Sequence, residues 1–213
     1  MSEISLNINE IFYSLQGEAK EVGLPTVFIR LTGCPLRCNY CDTEYAFKGN
    51  NLVSVSDILA EVKKYNTQYV CVTGGEPLAQ IHSHVLLDAL VKDGYRVSLE
   101  TSGSIDISEV NPKVSIVMDL KTPSSDEQSS NRYHNVELLQ EKDQLKFVIG
   151  SRDDFDWAVE QIKTKKTKAG ILFSPVFEKI TPIELADWIL ENQINVRLQV
   201  QLHKLLWGDQ KGK

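Results

Sequence analysis

The sequence predicts an α/β fold, a partial, open (β/α) barrel of roughly six parallel strands, and three observations carry that reading. Apolar runs rich in β-branched and aromatic residues recur along the chain. Amphipathic stretches of helix length lie between several of them, and the polar motifs fall directly after the runs. Six strands are too few to close an eight-stranded barrel. In open or closed sheets of this kind, active residues collect at the carboxyl ends of the strands.

The strand runs are residues 26–31, 69–73, 96–100, 114–120, 144–149 and 170–174. The helical stretches are 56–65, 82–93, 152–163 and 181–192. Ser56-Asp57 and Thr181-Pro182-Ile183-Glu184 place capping hydroxyls and early acids where the first free backbone N–H groups need acceptors. Residues 121–131 form a long polar loop, 197–204 alternate as a final strand, and 208–213 form a frayed tail. The expected organisation is one domain spanning 1–213.

With 213 residues, 42% of them hydrophobic and 24% charged, the chain can bury a sizeable core. A formal net charge of -6 argues against a protein that grips a nucleic-acid backbone directly and favours a small substrate. Four cysteines, three of them clustered, do not make a disulfide framework. The first residues lack a signal-peptide pattern, and no apolar run approaches the ~20 residues that span a bilayer. The expectation is a cytoplasmic protein that is not inserted in a membrane.

Cys34, Cys38 and Cys41 have CxxxCxxC spacing, which gathers three thiolates and supplies no fourth. A structural zinc knuckle, a ferredoxin-like electron carrier and a cluster with one open iron all compete for that motif. Cys71 stands alone inside a strand run, where a buried structural thiol is the ordinary outcome. Thr73-Gly74-Gly75-Glu76-Pro77 directly follows that run. Its glycines allow backbone to approach a ligand, and Glu76 offers a carboxylate to an amine or hydroxyl, although a plain turn explains the motif equally well.

The cysteine spacing, with Tyr40 before the last cysteine and Gly74-Gly75-Glu76-Pro77 downstream, resembles the radical S-adenosylmethionine (SAM) superfamily. The resemblance implies a 4Fe-4S cluster held by Cys34, Cys38 and Cys41, with SAM chelated at the open iron and cleaved to a 5'-deoxyadenosyl radical. It also implies that the Gly74, Gly75 and Glu76 turn receives the methionyl amine. Further SAM contacts would come from Tyr40, Cys41, Asp42, Glu100, Ser102, Asp119, Leu120, Lys121, Ser174, Pro175 and Val176. Lys146, with Ser174, Pro175 and Val176, is a weaker candidate.

A narrower resemblance begins in residues 10–18, EIFYSLQGE, and continues through 28–34 and Cys41-Asp42-Thr43. It is to the branch of that superfamily that converts 6-carboxy-5,6,7,8-tetrahydropterin to 7-carboxy-7-deazaguanine with loss of ammonia, on the route to queuosine. Residues 1–24 then read as a substrate-binding extension. Leu15, Gln16, Gly17 and Glu18 would read the donor-rich pterin edge, Arg30 its carboxylate, and Thr73, Gln201 and His203 would add contacts. A Glu18–Arg30 surface ion pair is the competing account. Thr43 would bind Mg2+, and the resemblance further implies a homodimer and flavodoxin or ferredoxin as reductant. Ala19 departs from a glycine common in this branch. The rival functions are a glycyl-radical-enzyme activase and a zinc-stabilised interaction module.

Overall fold

Period-two alternation sorts the strand residues onto two faces of one sheet. Val70, Val72, Val97, Leu99, Ile116, Met118, Leu145 and Phe147 join the apolar core beneath the helices. The residues between them, Thr73, Glu100, Val117, Asp119 and Lys146, turn to the other side and line a pocket. The computed structural model describes residues 4–208, 210 and 212.

Nine strands form the sheet in the order β3-β1-β2-β4-β5-β6-β7-β8-β9. Strands β2 (Pro25–Leu31), β4 (Tyr69–Gly74), β5 (Arg96–Thr101), β6 (Ser115–Asp119), β7 (Gln144–Ile149) and β8 (Gly170–Pro175) are the six runs expected from sequence, and neighbours among them pair in parallel. Strand β1 (Ser5–Leu15) adds antiparallel to β2, and β3 (Leu52–Ser54) adds antiparallel to β1. Of the segment 1–24, Ser5–Leu15 therefore enters the sheet, and among its described residues Phe12 and 15–18 line the pocket. A register shift between Ile8 and Glu10 breaks the alternation of β1, which is why its pattern does not read as a strand.

Helices α1 (Val55–Val62), α2 (Ser83–Lys92), α4 (Arg152–Thr164) and α5 (Pro182–Glu191) match the expected stretches; α3 (His134–Leu138) was not foreseen. The cap of α1 is Ser54, which accepts from the Asp57 N–H at 3.1 Å, two residues earlier than expected. Thr181 and Glu184 form the reciprocal capping box at α5. Residues 123–125 and 128–130 of the polar loop are short 3-10 turns.

The expected final strand at 197–204 is corrected. Only Arg197–Leu198 pairs, as β9, and Leu202–Trp207 is a helix, α6. Gln199 N–H still donates to the Phe173 carbonyl at 2.8 Å, but the next ladder bond would need an N–H at residue 175 for the Gln199 carbonyl, and Pro175 has none. Ser174 Oγ instead donates to the Gln199 carbonyl at 2.6 Å, and Leu202 N–H turns to the Gly17 carbonyl at 3.0 Å. Of the expected tail, residues 209, 211 and 213 lie outside the described residues; Gly208, Gln210 and Gly212 line the pocket mouth. Among the described residues, no helix is long and apolar enough to cross a membrane.

Under the sheet, Phe147 contacts Phe173 edge to face at 5.4 Å, and Phe173 contacts Phe155 at 5.7 Å; all three are fully buried. Phe147→Ala leaves a cavity in the middle of this array. Its expected cost is about 3–5 kcal/mol, read as a lower urea midpoint with an unchanged denaturant slope.

Candidate active site

A pocket of about 710 Å³ opens at the carboxyl ends of the parallel strands. The loop after β2 brings Cys34, Cys38 and Cys41 to it, and all three are half-buried. Burial pushes each thiol up, while the Lys121 ammonium pulls the other way. Arg37 donates to the Cys34 and Leu36 carbonyls at 2.8 and 2.6 Å and lies over the Phe47 ring at 4.3 Å. The distant polar loop holds the same segment from outside. Arg37 N–H donates to Glu127 at 2.5 Å, Asn39 N–H to the Ser125 carbonyl at 3.1 Å, and Asn39 Nδ2 to Asp126 at 2.5 Å.

Gly74 and Gly75 sit where β4 meets this loop. A Cβ on Gly75 would stand 2.3 Å from the Gly33 carbonyl oxygen and 2.7 Å from Cys34 Cβ, and one on Gly74 would stand 2.4 Å from the Leu31 carbonyl oxygen. Only glycine permits that approach. Glu76 N–H then donates to Gly33 at 2.9 Å.

The Glu76 side chain corrects the expectation that it faces a ligand. It is fully buried and accepts from Thr101 Oγ1 at 2.9 Å, Ser102 N–H at 2.7 Å, Ser102 Oγ at 2.5 Å and Leu78 N–H at 3.0 Å. A carboxylate filled from inside the protein ties β4 to the end of β5. Leu120 and Ser174 likewise do not line the pocket: Leu120 packs in the core, and the Ser174 hydroxyl is taken by Gln199. The other residues expected at the site, from Leu15 through His203, all line it.

Three largely buried cations face the pocket, each paired with a carboxylate. Arg30 Nε donates to Glu10 Oε1 at 2.8 Å and its guanidinium lies over the rings of Phe12 and Tyr45 at 5.8 and 5.7 Å. Lys121 meets Asp119 Oδ2 at 2.9 Å, and Lys146 meets Glu18 Oε2. Burial alone would lower both lysines, but Asp119 beside Lys121 and Glu18 beside Lys146 hold them above the ordinary lysine value. The alternative Glu18–Arg30 pair does not form. Glu18 Oε1 and Asp119 Oδ1 remain buried with no partner.

Around these pairs, Thr73 Oγ1 donates to Glu100 at 2.9 Å, Gln16 holds the Gly17 N–H at 2.9 Å, and Tyr40 shares a hydrogen bond with Thr122 at 3.1 Å. Thr43 Oγ1 donates to Asp42 at 2.6 Å. His203 packs against Gly17 so closely that a Cβ there would lie 2.1 Å from Nδ1. Ala19 takes φ +68°, the left-handed conformation that glycine adopts without strain. Sequence reading missed Glu10, Phe12 and Tyr45. A signal existed for the first two, since Glu10 and Phe12 alternate along β1 and stand opposite Arg30 and Phe28 in the register.

The donor set fits an iron–sulfur cube with SAM. Three thiols, a backbone cradle that a Cβ would fill, and an unsatisfied carboxylate oxygen on Asp119 share one cavity. Among the described residues no three His, Cys, Asp or Glu converge on a point fit for a single ion. A cube needs no such convergence, because each thiolate binds a different iron.

Comparison with known proteins agrees with this geometry. The Radical SAM superfamily model matches residues 28–189, and the chain belongs to that superfamily. Two curated relatives, both named 7-carboxy-7-deazaguanine synthase, cover nearly the whole chain. The Koribacter versatilis protein is 41% identical over 95% of this chain and 97% of its own length, and the Chlorobaculum tepidum protein is 40% identical over 97% and 96%. The crystal structure of QueE from Escherichia coli superposes with a TM-score of 0.72 at 25% identity, covering 93% of this chain and 95% of that one. The chain belongs to the 7-carboxy-7-deazaguanine synthase family.

Two outcomes follow. Gly75→Ala displaces the cysteine loop, so the reconstituted protein should hold well under half the wild-type iron while keeping its far-ultraviolet circular dichroism. His203 lies below the ordinary histidine value because of its burial, against the opposing pull of Glu18 and Asp42. Its contribution to stability is therefore complete above about pH 6.5 and declines as pH falls through its folded-state value. The urea midpoint should drop between pH 7 and about 5, and His203→Gln should remove part of that slope.

Proposed function

We propose that this pocket binds 6-carboxy-5,6,7,8-tetrahydropterin and converts it to 7-carboxy-7-deazaguanine with loss of ammonia, as a carbon–nitrogen lyase of queuosine biosynthesis. The observation that supports this most is the placement of Glu18 and Arg30, oppositely charged and separately paired, in the same cavity as the three cysteines. A pterin has a donor-rich pyrimidine edge and a carboxylate on the other ring. Glu18 Oε1 suits the first, and the Arg30 guanidinium suits the second.

When bound, the cluster and SAM supply an organic radical that takes a hydrogen atom from a substrate C–H bond. The protein's own part is to position and to exclude. Cys34, Cys38 and Cys41 hold the cluster, and the Gly74-Gly75 backbone with Tyr40, Asp42, Glu100, Ser102, Asp119, Lys121, Pro175 and Val176 shapes the SAM site. Leu15, Gln16, Gly17, Thr73, Gln201 and His203 surround the pterin. Thr43 and Asp42 offer oxygens for Mg2+, an ion that accepts sparse protein ligation when substrate and water complete its octahedron.

The activase and interaction-module readings give way to the family assignment. Flavodoxin or ferredoxin as reductant, a homodimer and a cytoplasmic location complete the proposal.

Anaerobic protein with a full cluster, given SAM, dithionite, Mg2+ and carboxytetrahydropterin, should form 7-carboxy-7-deazaguanine detectable by mass spectrometry. Chelating the Mg2+ should cut the yield, and Thr43→Ala should raise the Mg2+ concentration needed for half-maximal rate. Formation of 5'-deoxyadenosine alone would overturn the substrate. Formation of neither product on an intact cluster would overturn the catalytic reading.

A further inference from the structure

Lys146 was among the weaker strand-end candidates in the sequence, yet of the three ion pairs at the pocket its own spans the most chain. It lies on β7 and contacts Glu18 Oε2, 128 residues away in the chain and on the far side of the open barrel. Both side chains are nearly removed from solvent, at 14% and 10% exposure. The parallel register sets Lys146 beside Asp119, whose own oxygen goes to Lys121. Lys146 is thus committed to Glu18 and not to the neighbouring carboxylate.

The result is an asymmetric carboxylate. One Glu18 oxygen is held by the ammonium, while the other, Oε1, is buried and has no partner. A buried acceptor left unmatched is costly unless something completes it. Gln16 and His203 flank the same cavity, and Gln16 turns its own carbonyl oxygen to the Gly17 and Glu18 N–H groups. The oxygen that remains is therefore positioned to accept N–H donors from a bound ring.

We propose that Lys146 is a positioning residue that sets substrate specificity. It pins Glu18 by one oxygen, so that the other selects a heterocycle carrying an amino group and N–H on its pyrimidine edge over one carrying a carbonyl there. This deepens the function proposed above and rests on it. A Glu18 released from Lys146 can rotate, and its two oxygens lose their distinct tasks. Arginine in place of Lys146 keeps the charge and a donor for Glu18; methionine keeps only the length of the side chain.

The test uses reconstituted holoenzyme, with 6-carboxypterin and 6-carboxylumazine as competitive inhibitors. The second carries oxygen in place of the 2-amino group. Wild-type protein should prefer carboxypterin by at least roughly tenfold, Lys146→Met should reduce that preference to under about threefold, and Lys146→Arg should restore most of it. KM for carboxytetrahydropterin should rise in Lys146→Met far more than kcat falls. The double variant Lys146→Met/Glu18→Gln, which removes both buried charges together, should match Glu18→Gln alone in KM and in inhibitor ratio.

Equal weakening of both inhibitors in Lys146→Met, with the preference intact, would mean a merely structural lysine and would overturn the proposal. Additive effects in the double variant would do the same. Wild-type enzyme that cleaves SAM but leaves carboxytetrahydropterin unchanged would defeat the underlying function, an outcome separate from the inhibitor ratio.

Discussion

A charge buried inside a barrel must be neutralised where it lies. Removal from water costs several kcal/mol per ion even after relaxation, and attraction to a partner offsets this only when the geometry is good. Arg30, Lys121 and Lys146 meet that condition with Glu10, Asp119 and Glu18. The pairs reach over different spans. Lys121 and Asp119 are two residues apart, Arg30 and Glu10 face each other across β2 and β1, and Lys146 reaches from β7 to the chain beyond β1. That last contact joins two parts of the sheet that four other strands separate. Lys20 reinforces it by donating to the Glu141 and Lys142 carbonyls at 2.9 and 2.7 Å. Curvature of the open barrel and neutrality of the pocket are maintained by the same few side chains.

A second layer of constraint acts through polar groups that never touch the cavity. Glu76 fixes the β4 turn to the end of β5, and Asp154 performs a similar task at the base of α4. Asp154 accepts from Ser124 N–H at 2.9 Å and Gly150 N–H at 2.8 Å, and it also takes the Ser124 hydroxyl. These carboxylates have their acceptor capacity filled by the protein. Glu18 and Asp119 do not, and that difference separates structural acids from pocket-facing ones more clearly than burial does.

The six central strands and four main helices were legible because parallel strands buried by helices carry strong local patterns, and because Thr181 and Glu184 spell out a cap in sequence. Strand β1 was not, since its register shift between Ile8 and Glu10 breaks the alternation. The C-terminal segment was misread for the opposite reason. Gln199, Gln201 and His203 alternate as a strand would, but the ladder ends at Pro175, a tertiary fact that the segment itself does not contain. The site was legible wherever residues adjacent in sequence act together, as at 34–41 and 73–76. Pairings across more than a hundred residues, such as Lys146 with Glu18, carry no local signal. Glu76 was recognised as important, but its direction was not: whether a carboxylate faces a ligand or Thr101 and Ser102 depends on β5, which lies 20 residues further on.

The cysteines span only eight residues, yet the loop that carries them is shaped by groups at 125–127, which hold its backbone through Arg37 and Asn39. Synthesis proceeds from the amino end, so the three thiols emerge long before the residues that hold them in place. Until the polar loop has formed, the segment that carries them lacks the hydrogen bonds that Ser125, Asp126 and Glu127 make to Arg37 and Asn39. The shape of the cysteine loop is thereby tied to the middle of the chain, 90 residues on from Arg37 at Glu127.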